Sequence, residues 1–395
     1  MLPRIMLRRT HRGIGRLPYE NVALVLQGGG ALGAYQAGVY QALCEAEIEP
    51  TWVAGISIGA INSAIIAGNA PEDRIPALRG FWESVSAPAG GLLGGAWDSA
   101  FDTPPHGSDM RRWVNGLHAA QALFNGAPGF FDPRLPPPYL HPPGSAEATS
   151  YYNTAKLRAT LLAHADFDRI NHETSPRLSL GAVNVRTGNF VYFDTRTDEI
   201  RPEHVMASGA LPPGFPSVEI DGEFYWDGGL VSNTPLQWIA DARPLRDTIA
   251  FQIDLWSARG QLPRDLSEVA MRQKEIQYSS RTRLVTDQIA QLHHLRGALR
   301  TLLGKVPPEL LDSPEVQTLS RVATDTVHRI VHLIYRSRQF ESDSKDYEFS
   351  RLSMREHWEC GYQDAVRTLR DPKALERPSG EQIVAIYDQG ESSYG

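Results

Sequence analysis

The sequence predicts an α/β protein with a mainly parallel central sheet, because two strand–helix units follow one another near its start. Residues 22–26 form an apolar, β-rich run that stops at three glycines, and residues 31–47 then carry apolar side chains at helical spacing. Residues 52–56 repeat this order, with a turn at Ser57 and a helix from about 59 to 67. Buried strands that each lead into a helix are typical of parallel α/β sheets.

Two hairpins and one further strand complete the predicted sheet. The runs 178–185 and 190–194 flank a Thr-Gly-Asn turn, and the runs 218–220 and 224–226 flank an Asp-Gly turn. Residues 248–255 are predicted to form the last core strand, since the pattern beyond Pro263 is almost wholly helical. We therefore divide the chain into an α/β domain at 21–262 and a helical C-terminal region at 263–395.

The stretch 86–150 interrupts the α/β pattern with ten prolines and nine glycines among seven large aromatic residues. Such composition predicts that regular structure there is short. An aromatic-rich insert of this length is either a functional lid or a segment packed on the core, because disordered segments are poor in aromatic residues. Both alternatives stay open at this point.

The composition excludes several classes of protein. The net charge is −7, whereas a nucleic-acid binder needs a basic surface to neutralise phosphates. Two distant cysteines are too few for a disulfide framework or a cysteine-built metal site and favour a reducing, cytoplasmic compartment. Residues 1–20 carry five arginines without a long apolar run, which predicts a disordered basic arm rather than a signal peptide or a membrane anchor.

The first glycine cluster allows two interpretations. The residues Gly28, Gly29, Gly30 and Gly33, between a strand and a helix, match the spacing of a dinucleotide-binding turn. That fingerprint also needs an acidic residue at the end of the next strand, where this chain has the turn at Ser57. A dinucleotide-dependent oxidoreductase is therefore a remote alternative.

The second glycine motif predicts a serine nucleophile. Gly55, Ser57 and Gly59 form a Gly-x-Ser-x-Gly pattern, in which a sharp strand-to-helix turn exposes the serine hydroxyl. A serine nucleophile needs backbone N–H groups to stabilise the oxyanion, and a glycine-rich turn on a neighbouring strand supplies them. Each motif thus explains the other.

The serine also needs a base, and the sequence favours a carboxylate. Asp227 ends an apolar strand and precedes two glycines that let another backbone approach, although an ordinary Asp-Gly turn would look the same. Burial raises the pKa of a carboxyl group and makes the carboxylate a better base. His204 is the nearest candidate for a catalytic histidine, but a position on the surface of a helix is the better interpretation of this residue.

Together these residues resemble the patatin-like phospholipase family. The glycine loop, the serine turn and the Asp-Gly-Gly segment occur in the order of that family, and 207–216 resembles its Ala-Ser-x-Ala-x-Pro-x-x-Phe-Pro stretch. The resemblance covers about 22–255. It departs from the pattern at Leu32, where many members carry Arg or Lys, and at Gln27, where many carry Asp.

The resemblance implies a three-layer α/β/α fold in which Ser57 and Asp227 form a catalytic dyad and the amides of Gly28, Gly29 and Gly30 form the oxyanion hole. It implies a lipid or acyl-ester substrate, an acyl-enzyme, and no metal or other cofactor. A hydrolase or transacylase acting on short hydroxyacyl oligomers, thioesters or soluble esters would use the same residues. A protein that keeps the fold only for binding is a further alternative.

The stretches 275–283 and 345–351 of the C-terminal region resemble an uncharacterised helical region that follows the patatin domain in a bacterial subgroup. Six apolar residues between 292 and 306 share one helical face, with basic residues beside it. We expect this face to pack on the catalytic domain or on a second subunit, which would make a homo-oligomer. Peripheral membrane contact is the alternative.

Overall fold

The computed structural model describes residues 9–86, 108–172, 175–323, 326–337, 341, 343–378 and 384–388. The helices of this part of the chain are α1 (Gly33–Glu45), α2 (Ile58–Ala67), α3 (Arg74–Val85), α4 (Ser108–Asn125), α5 (Ala155–His164), α6 (Phe167–Ile170), α7 (Pro202–Ser208), α8 (Leu236–Ala240), α9 (Leu266–Leu303), α10 (Pro314–Val322), α11 (Arg351–Arg370) and α12 (Pro372–Leu375). The strands are β1 (Asn21–Leu26), β2 (Trp52–Gly55), β3 (Asp132–Pro133), β4 (Tyr152–Asn153), β5 (Arg177–Asn184), β6 (Phe190–Asp194), β7 (Val218–Ile220), β8 (Glu223–Asp227), β9 (Thr248–Asp254), β10 (His328–Ile334) and β11 (Val384–Asp388).

A mainly parallel sheet of nine strands runs through the described residues in the order β11-β10-β9-β1-β2-β5-β8-β7, with β6 paired to β5. The pairs from β11 to β5 are parallel, and β6, β7 and β8 add an antiparallel end. The fold class predicted from the sequence is therefore confirmed.

The sheet separates two apolar cores, which makes the fold three-layered. Side chains alternate between the faces of a strand, so Val22, Leu24 and Leu26 of β1 join the core that contains α1, α2 and α3. Ala23 and Val25 join the opposite core, together with residues of α8 and Ile289 of α9. This arrangement buries both faces of β1 and explains why its sequence is continuously apolar.

The C-terminal region contributes two strands to the sheet. Strand β10 pairs in parallel with β9, and β11 pairs in parallel with β10. The prediction that 248–255 is the last core strand is therefore wrong, because β9 lies between β1 and β10 in the middle of the sheet. The sheet therefore spans the predicted domain boundary at residue 263, because β10 and β11 follow that residue and the other strands of the sheet precede it.

The insert contains more regular structure than its composition predicts. Helix α4 spans 18 residues of it. The expectation that regular structure there is short is wrong because the prolines cluster outside α4, which contains only the one glycine Gly116. Phe130 and Phe131 belong to the main core, whereas two other aromatic residues of the insert, Trp97 and Phe101, lie outside the described residues.

The part of the predicted basic arm that the structure describes, residues 9–20, packs on the end of α1. Leu17 and Tyr19 are buried. The guanidinium of Arg12 lies 3.0 Å from the carboxylate of Glu45, and the ring of His11 lies 3.1 Å from it. These contacts contradict a disordered arm over this range, because charge pairing and two buried apolar side chains fix it.

Both predicted hairpins are present. Strands β5 and β6 pair as an antiparallel hairpin, and so do β7 and β8. Asp221 and Gly222, between β7 and β8, have φ values of 52° and 84°. An Asp-Gly pair adopts such positive φ angles readily, which is why it predicts a two-residue hairpin turn.

The apolar face predicted near the end of α9 is not covered by the catalytic domain. The exposed fractions of Leu292, Leu295 and Leu302 are 39%, 65% and 61%. The expectation that this face packs on the catalytic domain is therefore wrong for these residues. A second subunit or a membrane surface as its partner stays a prediction.

Candidate active site

Ser57 occupies the sharp turn between β2 and α2. Its φ and ψ are 56° and −124°, which non-glycine residues rarely adopt, and it is half-buried. Residue 59 must be glycine here, because a Cβ atom on Gly59 would lie 2.2 Å from the carbonyl oxygen of Leu26. The Gly-x-Ser-x-Gly pattern therefore folds as a strained elbow that holds the hydroxyl at the carboxyl end of the parallel strands.

The segment 207–216 connects the serine to the aspartate. The Ser57 amide donates to the carbonyl and to the hydroxyl of Ser208, each at 3.1 Å, and the Ser208 hydroxyl donates to the carbonyl of Gly181. Two residues further on, the carbonyl of Ala210 accepts from the Asp227 amide at 3.0 Å. This short segment thus fixes the backbone of both residues.

Asp227 is buried at the end of β8 and faces the serine. Burial raises the pKa of its carboxyl group to about 6, although interactions with the Ser57 hydroxyl and the Gly229 amide offset part of the rise. The Gly229 amide donates to Oδ1 of Asp227 at 2.7 Å. At neutral pH this carboxylate is ionised and is a stronger base than an exposed one.

The glycine loop lies against Ser57. A Cβ atom on Gly28 would lie 3.0 Å from the Ser57 Cβ. The Gly28 amide makes a long hydrogen bond of 3.4 Å to the Asn233 carbonyl, and the Ala31 amide donates to the Asp346 carbonyl at 2.8 Å. Within the described part of the chain, the amides of Gly29 and Gly30 have no hydrogen-bond partner. Of the three amides predicted as oxyanion donors, these two are therefore the ones available to a ligand.

The departures at Gln27 and Leu32 have structural explanations. Gln27 is fully buried, and its Oε1 accepts from the amides of Leu255 and Trp256, at 2.6 and 3.1 Å. Its Nε2 donates to the carbonyl of Tyr278, which a carboxylate could not do. Leu32 is fully buried in the main core. Neither side chain is placed to contact a substrate head group.

His204 has a structural position and is not on a helix surface. It is buried, its Nδ1 accepts from the Arg201 amide at 2.9 Å, and its ring packs edge-on against Phe193. Burial lowers the pKa of its imidazole. The side chain therefore caps the start of α7. Among the described residues, no histidine is hydrogen-bonded to Ser57.

Two residues that sequence reasoning missed hold the glycine loop. The indole N–H of Trp256 donates to the Gly28 carbonyl at 2.9 Å, and the side-chain amide of Asn233 donates through Nδ2 to the same oxygen at 3.1 Å. Asn233 follows Asp227 closely, so its proximity could have suggested it. Trp256 is 228 positions away from Gly28, and no local pattern indicates this contact.

The described residues contain no group of three or more His, Cys, Asp and Glu side chains that could hold a metal ion. Within the same ranges, every helix is too short or too polar to cross a membrane.

Comparison with known proteins matches both parts of the chain. The family model for Patatin-like phospholipase matches residues 24–238, and a second model, described as Patatin phospholipase, matches residues 276–381. Lysophospholipase nte1 of Aspergillus terreus is 41% identical over 92 residues, which are 23% of this chain and 6% of that protein. This chain thus aligns with only a small part of that relative.

A solved structure, VipD from Legionella pneumophila, covers 99% of this chain and 76% of its own chain, at 13% sequence identity and a TM-score of 0.41. That score is too low to bear on function. The first family model, by contrast, spans more than half of this sequence and includes Ser57 and Asp227. The chain therefore belongs to the patatin-like phospholipase family.

Proposed function

We propose that this protein is a serine acyl hydrolase that cleaves lipid esters through a Ser57–Asp227 dyad. Family membership supports a lipid acyl hydrolase. The observation that carries the finer proposal is the pairing of a strained, accessible serine with a buried carboxylate whose pKa lies near 6. Two glycine amides beside them, which have no partner among the described residues, complete the groups that ester cleavage needs.

In the proposed mechanism, the Asp227 carboxylate takes the proton of Ser57 as Oγ attacks the acyl carbonyl. The amides of Gly29 and Gly30 stabilise the oxyanion, which then collapses and expels the alcohol with the proton from Asp227. The product of this half-reaction is an acyl-enzyme on Ser57. Asp227 next takes a proton from a water molecule, whose oxygen attacks the acyl carbonyl. The bond from the carbonyl carbon to Ser57 Oγ then breaks, the fatty acid leaves, and the proton passes from Asp227 to Oγ.

The glycine loop argues against the dinucleotide alternative. A phosphate bound at this turn would need the free amides at the start of the helix. Here the Ala31 amide donates to the Asp346 carbonyl, and that oxygen would lie 2.0 Å from a Cβ atom on Gly30. The Ala31 amide is therefore occupied and is not available to a phosphate at this turn.

The experiment that tests the proposal combines a fluorophosphonate probe with a panel of acyl esters. We expect stoichiometric labelling of wild-type protein at Ser57, identified by mass spectrometry, and turnover of p-nitrophenyl esters and lysophospholipids. Thioesters and short hydroxyacyl oligomers in the same panel distinguish the alternative substrates. Absence of labelling would overturn the proposal.

We expect kcat/KM to fall as the pH drops below about 6, because the base must be ionised and burial raises the pKa of Asp227 to about 6. A histidine base would titrate in nearly the same range. The temperature dependence distinguishes the two, since carboxyl ionisation has a small enthalpy and imidazole ionisation a large one. An acid limb that moves strongly with temperature would contradict an aspartate base.

We also propose that the insert presents apolar side chains to the lipid substrate. Tyr151, the residue directly after the insert, donates its amide to the Pro213 carbonyl at 3.0 Å, within the segment 207–216 that connects Ser57 to Asp227. Trp113, Phe124 and Tyr139 expose 59%, 79% and 77% of their surface. A contiguous exposed apolar patch marks a surface that contacts apolar partners, and the proposal is that these side chains contribute to one. Opening of the insert as a lid stays a prediction.

We expect the double substitution Trp113→Ser with Phe124→Ser to reduce turnover of micellar long-chain esters severalfold and to leave soluble short-chain esters unaffected. Leu310→Ser, which alters an exposed apolar residue of the C-terminal region, is the matched control. Replacing the whole insert is a poorer test, because Phe130 and Phe131 are part of the core. Equal losses with both substrate types would contradict the proposal.

A further inference from the structure

We propose that Trp256 is a positioning residue for the glycine loop, residues 28–30, and that the C-terminal region holds Trp256 in place. The inference rests on the proposed hydrolase function and extends it to residues beyond the patatin core. The group that matters is the peptide that joins Gly28 to Gly29. A trans peptide is planar, and its N–H points opposite to its carbonyl.

Trp256 and Asn233 fix the direction of this peptide. Both donate to the Gly28 carbonyl, at 2.9 and 3.1 Å, and all the groups involved are buried. Because the carbonyl is held from one side, the Gly29 amide must point to the other. The orientation of a predicted oxyanion donor therefore depends directly on the indole N–H.

The C-terminal region surrounds the Trp256 ring. The Tyr278 ring of α9 packs against it, with ring centroids 5.2 Å apart, and the ammonium group of Lys345 lies 5.0 Å from its centroid. A cation over an indole face is attracted by the ring electrons. The carbonyl of Tyr278 also accepts from Gln27, the residue that precedes the glycine loop.

Two ion pairs clamp α9 to the segment that carries Lys345. The ammonium group of Lys345 lies 3.1 Å from the carboxylate of Glu275, and both side chains are buried. The neighbouring residues pair as well, with Lys274 at 2.8 Å from Asp346. We name these four residues the ion-pair clamp. Its Asp346 carbonyl in turn accepts from the Ala31 amide.

The glycine loop is thus fixed at both ends by contacts that involve the C-terminal region. One end is held at Gly28 through Trp256, and the other at Ala31 through Asp346. Electrostatic stabilisation of an oxyanion depends on donors that are oriented before the reaction begins. The C-terminal region therefore acts on the rate of the chemical step and not only on stability.

The test is Trp256→Phe, which removes the N–H and keeps a ring between Tyr278 and Lys345. We expect kcat to fall about 10- to 100-fold while KM stays within about threefold, since the lost orientation acts in the transition state. The inhibition constant of an alkyl trifluoromethyl ketone, which forms an oxyanion on Ser57, should rise by the same factor as kcat/KM falls. Binding of an uncleavable alkyl ether analogue should not change.

The matched control is Trp238→Phe, which removes an indole N–H that donates to Ser179 and Asp194, away from the loop. A second variant, Lys345→Met with Glu275→Gln, removes both buried charges together. Arg272, which also pairs with Glu275 at 3.1 Å, keeps its hydrogen bond to the Ala258 carbonyl. We expect this double variant to lower kcat more than Trp238→Phe does, again with little change in KM.

Several outcomes would overturn the inference. Unchanged kcat in Trp256→Phe would do so, as would a loss no larger than that of Trp238→Phe. A loss of kcat with unaltered affinity for the ketone would indicate a structural role alone. If wild-type protein is not labelled by the fluorophosphonate, the proposed function itself fails, which is a different result from labelled wild-type protein with a fully active Trp256→Phe variant.

Discussion

Ser57→Ala is expected to abolish ester hydrolysis, with a fall in kcat of at least about 10,000-fold, and to abolish fluorophosphonate labelling. The substitution removes the attacking oxygen and keeps the Cβ atom of the strained turn. The fold should persist, because the hydrogen bonds from the Ser57 backbone amide to Ser208 do not involve the Ser57 side chain. Turnover of p-nitrophenyl esters and intact-protein mass spectrometry measure the effect.

Ser57→Gly is the matched control for this experiment. It should be equally inactive but more stable than Ser57→Ala by about 1 kcal/mol, since glycine adopts the positive φ of residue 57 without strain. Thermal unfolding of the two variants measures the difference. Appreciable turnover by either variant would show that another residue is the nucleophile.

Asp227→Asn is expected to lower kcat on the order of 1,000-fold or more, because it replaces the base with a neutral group of the same shape. His204→Ala should keep measurable activity, since that imidazole caps a helix and has no contact with Ser57 in the described structure. Both variants are assayed with the same soluble ester. If His204→Ala, or any other single histidine substitution, were as inactive as Asp227→Asn, the dyad would have to be replaced by a triad.

Asp227→Asn should also stabilise the fold at neutral pH. The pKa of Asp227 is raised from 3.8 to about 6 on folding, so the folded protein binds more protons between these values. Stability contributed by this group therefore falls as the pH rises from about 4 to about 6, and the full loss persists above that range. Asp227→Asn removes the buried charge and should gain roughly 1–3 kcal/mol at pH 7 and little at pH 4.

Thermal unfolding at pH 4, 5, 6 and 7 measures this effect. The difference in Tm between Asp227→Asn and wild type should grow with pH and level off above about pH 7. A difference independent of pH would show that the carboxyl group does not carry the raised pKa that the mechanism requires.

Local sequence patterns predicted the groups at the centre of the site. The elbow at Ser57, the loop at Gly28–Gly30 and the aspartate at the end of β8 each occupy a turn next to a strand, where few residue types fit. The parallel strands β1 and β2 carry their turns to one edge of the sheet. Asp227 ends the antiparallel strand β8 and pairs there with Ala182 of β5. Motifs of this kind are therefore visible without a structure.

The groups that support the centre were not visible in the sequence. Trp256 contacts the loop from 228 positions away, and Lys345 lies against the Trp256 ring. No spacing rule connects these residues. Strand β10 was missed because it follows a long helical pattern, although its run of Ile330, Val331, Leu333 and Ile334 carries a β signal. Helix α4 was missed because composition was averaged over the whole insert.

The parallel sheet is completed by a strand that lies far along the chain from the proposed catalytic residues. Strand β11 forms its edge and is the last of the described strands. A chain that stops before residue 384 would keep β10, yet it would leave the backbone groups of β10 unpaired along an apolar edge. Such an edge templates association between chains. We expect truncated product to enter inclusion bodies and be degraded by cellular proteases, even though the sequence up to residue 383 contains every residue proposed for catalysis.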